Sequence, residues 1–140
     1  VVGHSGDTPV LVKVSPDASD EQLRDICAVV TDLGLAGVVA TNTSISRESL
    51  VSPADLVARS GEGGVSGAPL ATRSREALSV VRDALGDDAC VISVGGVFTG
   101  ADVRERLDDG ATLVQAYTAF VYRGPALPRL ISRELQALAN

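Results

Sequence analysis

Apolar positions along this chain alternate between two periods, and the alternation repeats. Val10 to Val14 is a short, largely β-branched run with Lys13 as its one polar member, which reads as a strand. Ser19 and Gln22 follow at the spacing of a capping box, which marks a helix start. Leu23, Ile26, Cys27 and Val30 then recur at helical spacing, and Gly34 is a natural stop. A second strand is predicted at Gly37 to Thr41, then a long polar loop from Asn42 to Gly67. A helix from about Arg75 to Leu85 carries Leu78, Val81 and Leu85 on one face. The third strand, Cys90 to Val94, runs into Gly95-Gly96 and a helix N-capped by Thr99, with Asp102 in its first turn. Val103 and Leu107 form that helix's inner stripe and Gly110 closes it. Thr112 to Ala116 makes the fourth strand, and a last helix presents Leu127, Leu130, Ile131, Leu135 and Leu138 on one side.

Strands alternating with helices imply a parallel α/β sheet with right-handed connections. Four such units make either an open doubly wound sheet or half of a (β/α)8 TIM barrel, which normally takes about 250 residues. The polar and glycine-rich oddities decide between them. Lys13 with Ser15-Pro16, then Thr41-Asn42-Thr43, Gly95-Gly96 and Tyr117-Thr118 all fall at strand ends. A barrel brings all these ends to one mouth, whereas an open sheet spreads them along an edge. The half-barrel, four consecutive βα units with parallel strands over residues 1–140, is the reading adopted.

Composition narrows the function. A net charge of −6 opposes a phosphate-backbone footprint, and 3% aromatics leave little for base stacking, so nucleic acid is not an expected partner. Cys27 and Cys90 lie far apart in apolar surroundings, without a CxxC or His/Cys cluster, and read as buried thiols rather than a zinc site. His4, the only histidine, sits in a Gly/Ser/Asp-containing N-terminal stretch and reads as solvated, which removes a Ser–His–Asp triad. No apolar run approaches the roughly 18 residues of a membrane span. The first residues lack signal-peptide features and the chain lacks Met, which fits a piece of something longer.

Chemistry concentrates at the strand ends. Gly95-Gly96 precedes a helix start closely, so bare N–H groups and the helix terminus form an anion site. Two glycines alone would merely permit a tight turn; Thr118 at the next strand end favours the anion. Barrels often bind phosphate in the loops after strands seven and eight, which these would be. The stretch Gly61-Glu62-Gly63-Gly64-Val65-Ser66-Gly67 is a linker or a functional loop by composition alone. Lys13, inside an apolar strand, must reach solvent or meet an anion. Thr41-Asn42-Thr43 can hold a flat polar heterocycle or simply turn the chain.

Several segments resemble quinone-linked dihydroorotate dehydrogenases in order and spacing. They are Val12-Lys13-Val14-Ser15-Pro16-Asp17, Gly37-Val-Val-Ala-Thr41-Asn42-Thr43 and Gly63-Gly64-Val65-Ser66-Gly67-Ala68-Pro69-Leu70. Val94-Gly95-Gly96-Val97, Leu113-Val114-Gln115-Ala116-Tyr117-Thr118 and the following Gly124-Pro125 complete the set, across residues 9 to 138. The resemblance implies the C-terminal half of an FMN-filled barrel that oxidises dihydroorotate to orotate in pyrimidine synthesis and passes electrons to a quinone. It implies that Lys13 and Thr41 contact the flavin, with Lys13 stabilising negative charge on the reduced ring. Asn42 and Thr43 would hydrogen-bond the orotate ring, and Gly67, Gly96, Tyr117 and Thr118 would hold the FMN phosphate. Thr118 stands where family members often have Ser, which keeps the hydroxyl. The family's catalytic serine base and quinone-site helices belong to segments upstream of residue 1, so the resemblance implies an inactive segment on its own. It also implies a peripheral place on the cytoplasmic side of the cell membrane. Two other readings stand beside it. One is a flavin-free phosphate-binding isomerase or lyase, which needs a carboxylate pair at the strand ends where only Asp17 stands. The other is a non-catalytic structural fragment.

Overall fold

The computed structural model describes residues 7–48 and 50–139, so the reading of His4 lies outside the described residues. Four strands, β1 (Leu11–Val14), β2 (Gly37–Ala40), β3 (Cys90–Val94) and β4 (Leu113–Gln115), form one sheet. Their order is β1-β2-β3-β4 and every pair is parallel. Spatial order that follows chain order leaves no reversal, and so no switch-point crevice of the doubly wound kind. These are consecutive units of a barrel wall.

Helix α1 (Asp20–Asp32) starts at the expected capping box: Gln22 N–H donates to Ser19 Oγ at 3.2 Å and Ser19 N–H to Gln22 Oε1 at 2.8 Å. Leu23, Cys27 and Val30 are buried along it, and Gly34, at φ 61°, takes the left-handed turn that ends it. Helix α3 (Ala71–Leu85) buries Ala77, Leu78 and Val81 and packs on α1 and on β2 and β3. Register fixes two kinds of row across the sheet. Val14, Ala40, Ser93 and Val114 share one row and face the helices; Lys13, Val39, Ile92 and Leu113 share the next and face the other way.

Several sequence expectations need correction. The long loop contains a short helix, α2 (Ala54–Arg59), which buries no residue and so leaves no apolar stripe to read. Its two ends are joined by an antiparallel bridge between Ser44 and Val65. Helix α3 begins at Ala71 rather than near Arg75, fed by a 3-10 turn at Ala68–Leu70 that buries Leu70. Helix α4 (Gly100–Asp108) is capped by Thr99 and Asp102 as expected, but Leu107 is 41% exposed and Arg106 1%. The helix presents the position three after Val103 to the sheet, because Ser93, Ser74 and the Gly95 carbonyl make a polar socket there. Beyond β4 the chain forms α5 (Thr118–Arg123) and α6 (Leu127–Leu138), parted at Gly124, whose φ of 73° ends the first. On α6 Leu127 is buried, Leu130, Ile131 and Leu135 are half-buried, and Leu138 is exposed.

Candidate functional site

The carboxyl ends of the strands enclose a cavity of about 470 Å³. Lys13 reaches it from β1, and Thr41, Asn42 and Thr43 from the end of β2. Gly67 enters from the long loop, Gly96 from the end of β3, and Tyr117 and Thr118 from the end of β4. All eight residues singled out in the sequence therefore line one cavity. Ser66, Phe98 and Gln115 also line it and carried no sequence expectation as ligand contacts. Gln115, polar in the last strand just before Tyr117, is the one a periodicity reading could have flagged.

The end of β2 is sewn to both neighbours. Thr41 N–H donates to Val94 O at 2.9 Å and Asn42 N–H to Val14 O at 2.7 Å, across a cis peptide between Ala40 and Thr41. Thr41 is buried, while the Asn42 and Thr43 side chains remain exposed and available to a ligand. Gly64 lies so close to Thr43 that a Cβ there would fall 1.9 Å from Thr43 Oγ1. Within the glycine-rich stretch, Gly64 and Gly67 are thus close-approach positions, whereas Gly61 and Gly63 stand in open space at positive φ.

Several main-chain donors around the mouth stand free among the described residues. Among the described residues the N–H groups of Gly67, Gly96 and Thr118 have no protein acceptor. A Cβ on Gly67 would lie 2.9 Å from Thr118 Cγ2, so these two touch, and Thr118 Oγ1 donates to Ser66 Oγ at 3.0 Å. Gly96, at φ 71°, is pressed against the first turn of α3, where a Cβ would meet Ala71 Cα at 2.5 Å. Partly buried N–H groups without acceptors suit an anion with several oxygens. Tyr117 lines the cavity and is 81% exposed.

Charge around the mouth is sorted. Lys13 is exposed on the open face and has no ion-pair partner among the described residues. Asp17 accepts from Ser44 Oγ and, at 2.9 Å, from Ile45 N–H; the Ser44 hydroxyl first and the Ile45 amide second hold its carboxyl below the usual range. It fastens the β1–α1 loop to the segment after β2, and so is not free for acid–base work. That removes the carboxylate on which a flavin-free isomerase or lyase would depend. A second space of about 470 Å³ lies between α3 and α4, but its charges satisfy each other: Arg75 pairs with Asp109 at 2.8 Å and Glu105 at 2.7 Å. Cys27 is buried, which pushes its thiol up; Cys90 is half-buried, and both are free. No metal-binding group of His, Cys, Asp or Glu occurs among the described residues.

Four parallel strands alternating with helices, their carboxyl ends converging on one polar mouth, define part of an α/β barrel wall. A family model described as Dihydroorotate dehydrogenase matches residues 1–138. The chain is 54% identical over 136 residues to the dihydroorotate dehydrogenase (quinone) of Leifsonia xyli subsp. xyli, covering 97% of this chain and 40% of that relative. It is 56% identical over 127 residues to that of Clavibacter sepedonicus, covering 91% and 37%. Among solved structures, DHODH of Eimeria tenella in complex with ferulenol superposes with a TM-score of 0.82 at 36% identity, over 93% of this chain and 34% of that one. The chain belongs to the dihydroorotate dehydrogenase family, and it spans about two fifths of the length of the curated relatives it matches.

Proposed function

We propose that the chain is the C-terminal half of the barrel of a quinone-linked dihydroorotate dehydrogenase, and that its mouth holds FMN. As part of a longer polypeptide it serves the oxidation of dihydroorotate to orotate, with a quinone as electron acceptor, in pyrimidine synthesis. The observation that carries this reading is the convergence of all eight expected residues on one cavity with free amides at one end.

The residues fit the cofactor. The N–H groups of Gly67, Gly96 and Thr118 would take the phosphate oxygens, since such a cradle needs backbone that can approach closely. Lys13, at the other side of the cavity, would place an unpaired ammonium at the flavin ring. Bound FMN supplies the two-electron acceptor that no side chain offers. A fixed cation beside the ring favours the charge that arrives with those electrons. Thr41, held by its backbone between β1 and β3, has its hydroxyl donating to Asn42 O at 3.0 Å and would offer the ring edge that oxygen as an acceptor. Asn42 and Thr43 leave their polar groups exposed beside it, placed to orient the orotate ring. Ser66 Oγ is engaged with Thr118, and Ser15 Oγ with Asp17, so neither serves as the base. In this reading the base would come from outside residues 1–140. Among the described residues no helix is long and apolar enough to cross a membrane; a peripheral place on its cytoplasmic side is part of this proposal.

Visible absorption of the purified full-length polypeptide tests the reading directly. Flavin bands that disappear on denaturation, with orotate formed from dihydroorotate and a quinone, are expected. A colourless polypeptide that gains no FMN on titration overturns it.

A further inference from the structure

Arg106 is the largest fully buried side chain among the described residues, and its placement is costly. It rises from α4, the helix that follows the Gly95-Gly96 loop, and returns beneath that loop. Nη1 donates to Ser93 Oγ at 2.8 Å, and Nη2 donates to Ser74 Oγ at 3.0 Å and to the Gly95 carbonyl. Nε is buried without any partner, and among the described residues no carboxylate contacts the group; Asp102, Asp109 and Glu105 act on it only from farther off. Burying an arginine with one N–H unmet and no carboxylate in contact opposes stability. If the need were only to fill space between α4 and the sheet, an apolar side chain would serve at less cost. Ser74 completes the arrangement, since its hydroxyl also bonds the Gly95 carbonyl at 2.9 Å.

The consequence follows from peptide geometry. The Gly95–Gly96 bond is not among the cis peptides, so its C=O and N–H point in opposite directions. Drawing the Gly95 carbonyl back onto Arg106 and Ser74 therefore aims the Gly96 N–H away from them. That N–H has no protein acceptor, and Gly96 borders the cavity. A cation on the carbonyl also polarises the same peptide unit and strengthens its N–H as a donor.

We infer that Arg106 is a positioning residue for the phosphate end of the cavity, orienting and polarising the Gly96 N–H through the Gly95 carbonyl while placing a fixed positive charge behind the loop. It never touches the ligand. Ser74 assists by holding the same carbonyl. The inference rests on the FMN reading above.

The test compares FMN with riboflavin, which lacks the phosphate, by fluorescence titration of the full-length apoprotein. For the unaltered protein FMN should bind much more tightly than riboflavin. Arg106→Met should cut that preference tenfold or more while riboflavin affinity stays within about twofold, and Arg106→Lys, which keeps a charge and a donor, should restore most of it. A purely structural role would weaken both flavins together or change neither, and either result overturns the inference. Should the Met variant fail to fold, Ser74→Ala takes its place: a several-fold loss of preference is expected, and an unchanged preference refutes the relay. Equal binding of FMN and riboflavin by the unaltered protein would instead overturn the underlying FMN-phosphate reading.

Discussion

The two faces of the sheet are built from similar residues and lead different lives. On one face Val12, Val38 and Val91, with Val14 and Ala40, are locked under α1 and α3 with Leu23, Leu78 and Val81 in a continuous core. On the other, the row of Lys13, Val39, Ile92 and Leu113 lies open, with Leu113 56% exposed. The first face is complete within this chain. The second is a barrel interior, and in the proposed reading it is closed by the other half of the polypeptide and by the flavin. Stability is therefore expected to reside on the helix side and binding on the open side.

The sharpest way to break that division is to truncate one core residue on each face of the full-length polypeptide. Leu78→Ala should cost about 2–5 kcal/mol in urea unfolding. Ile92→Ala, in the half-buried row of the open face, should cost clearly less, on the order of 1 kcal/mol; a loss equal to that of Leu78→Ala would show that the open row carries as much stability as the helix side. Next comes the mouth. Gly96→Val adds backbone strain and overpacking of about 1–3 kcal/mol each, so FMN should bind on the order of a hundredfold more weakly. An unchanged dissociation constant would remove Gly96 from the phosphate site.

Lys13→Ala is expected to leave unfolding within roughly 1 kcal/mol yet slow flavin reduction by dihydroorotate about tenfold or more, for a charge-assisted contact worth roughly 1.5–3 kcal/mol. Stopped-flow reduction of a fully flavinated variant at the normal rate would return Lys13 to the role of a surface lysine. The smallest effect belongs to Asp17. Its folded-state carboxyl is held below the unfolded value of 3.8, so its contribution is present above that pH and fades as the pH falls through the lower folded value. Asp17→Asn should flatten this part of the acid stability profile, at a cost on the order of 1 kcal/mol or less for an exposed carboxylate.

Legibility in the sequence follows the same two faces. Parallel strands with buried rows read as β-branched runs, and helices with a wet side read as apolar stripes, so four units and their order were apparent from Val12, Leu23, Leu78 and Val91. Strand-end oddities pointed to the mouth because charge and glycine have few reasons to stand there. What escaped has physical causes. Helix α2 buries nothing, so it has no stripe. Helix α3 starts early because its first turn follows directly from the 3-10 turn that buries Leu70. Arg106 reads as part of a solvated helix face, and only the fold brings Ser74 and Ser93 beneath it. No pattern in one dimension announces a buried cation whose partners are two serines and a carbonyl.

The bridge between Ser44 and Val65 has a consequence in the language of chain statistics. Its two bonds, Ser44 N–H to Val65 O at 3.1 Å and Val65 N–H to Ser44 O at 2.7 Å, close a neck. Asp17 holds one side of that neck from the β1–α1 loop. Gly64 returns against Thr43, while the described residues from Ser46 to Glu62 extend beyond the neck, and Thr43 and Gly67 sit on the cavity side. Closing a flexible loop costs free energy only logarithmically in its length, so doubling that stretch adds about 0.6 kcal/mol. The neck thus uncouples the length of the outer segment from the shape of the cavity. Insertions near α2 should change the reach of this segment over the mouth without being felt at Thr43 or Gly67.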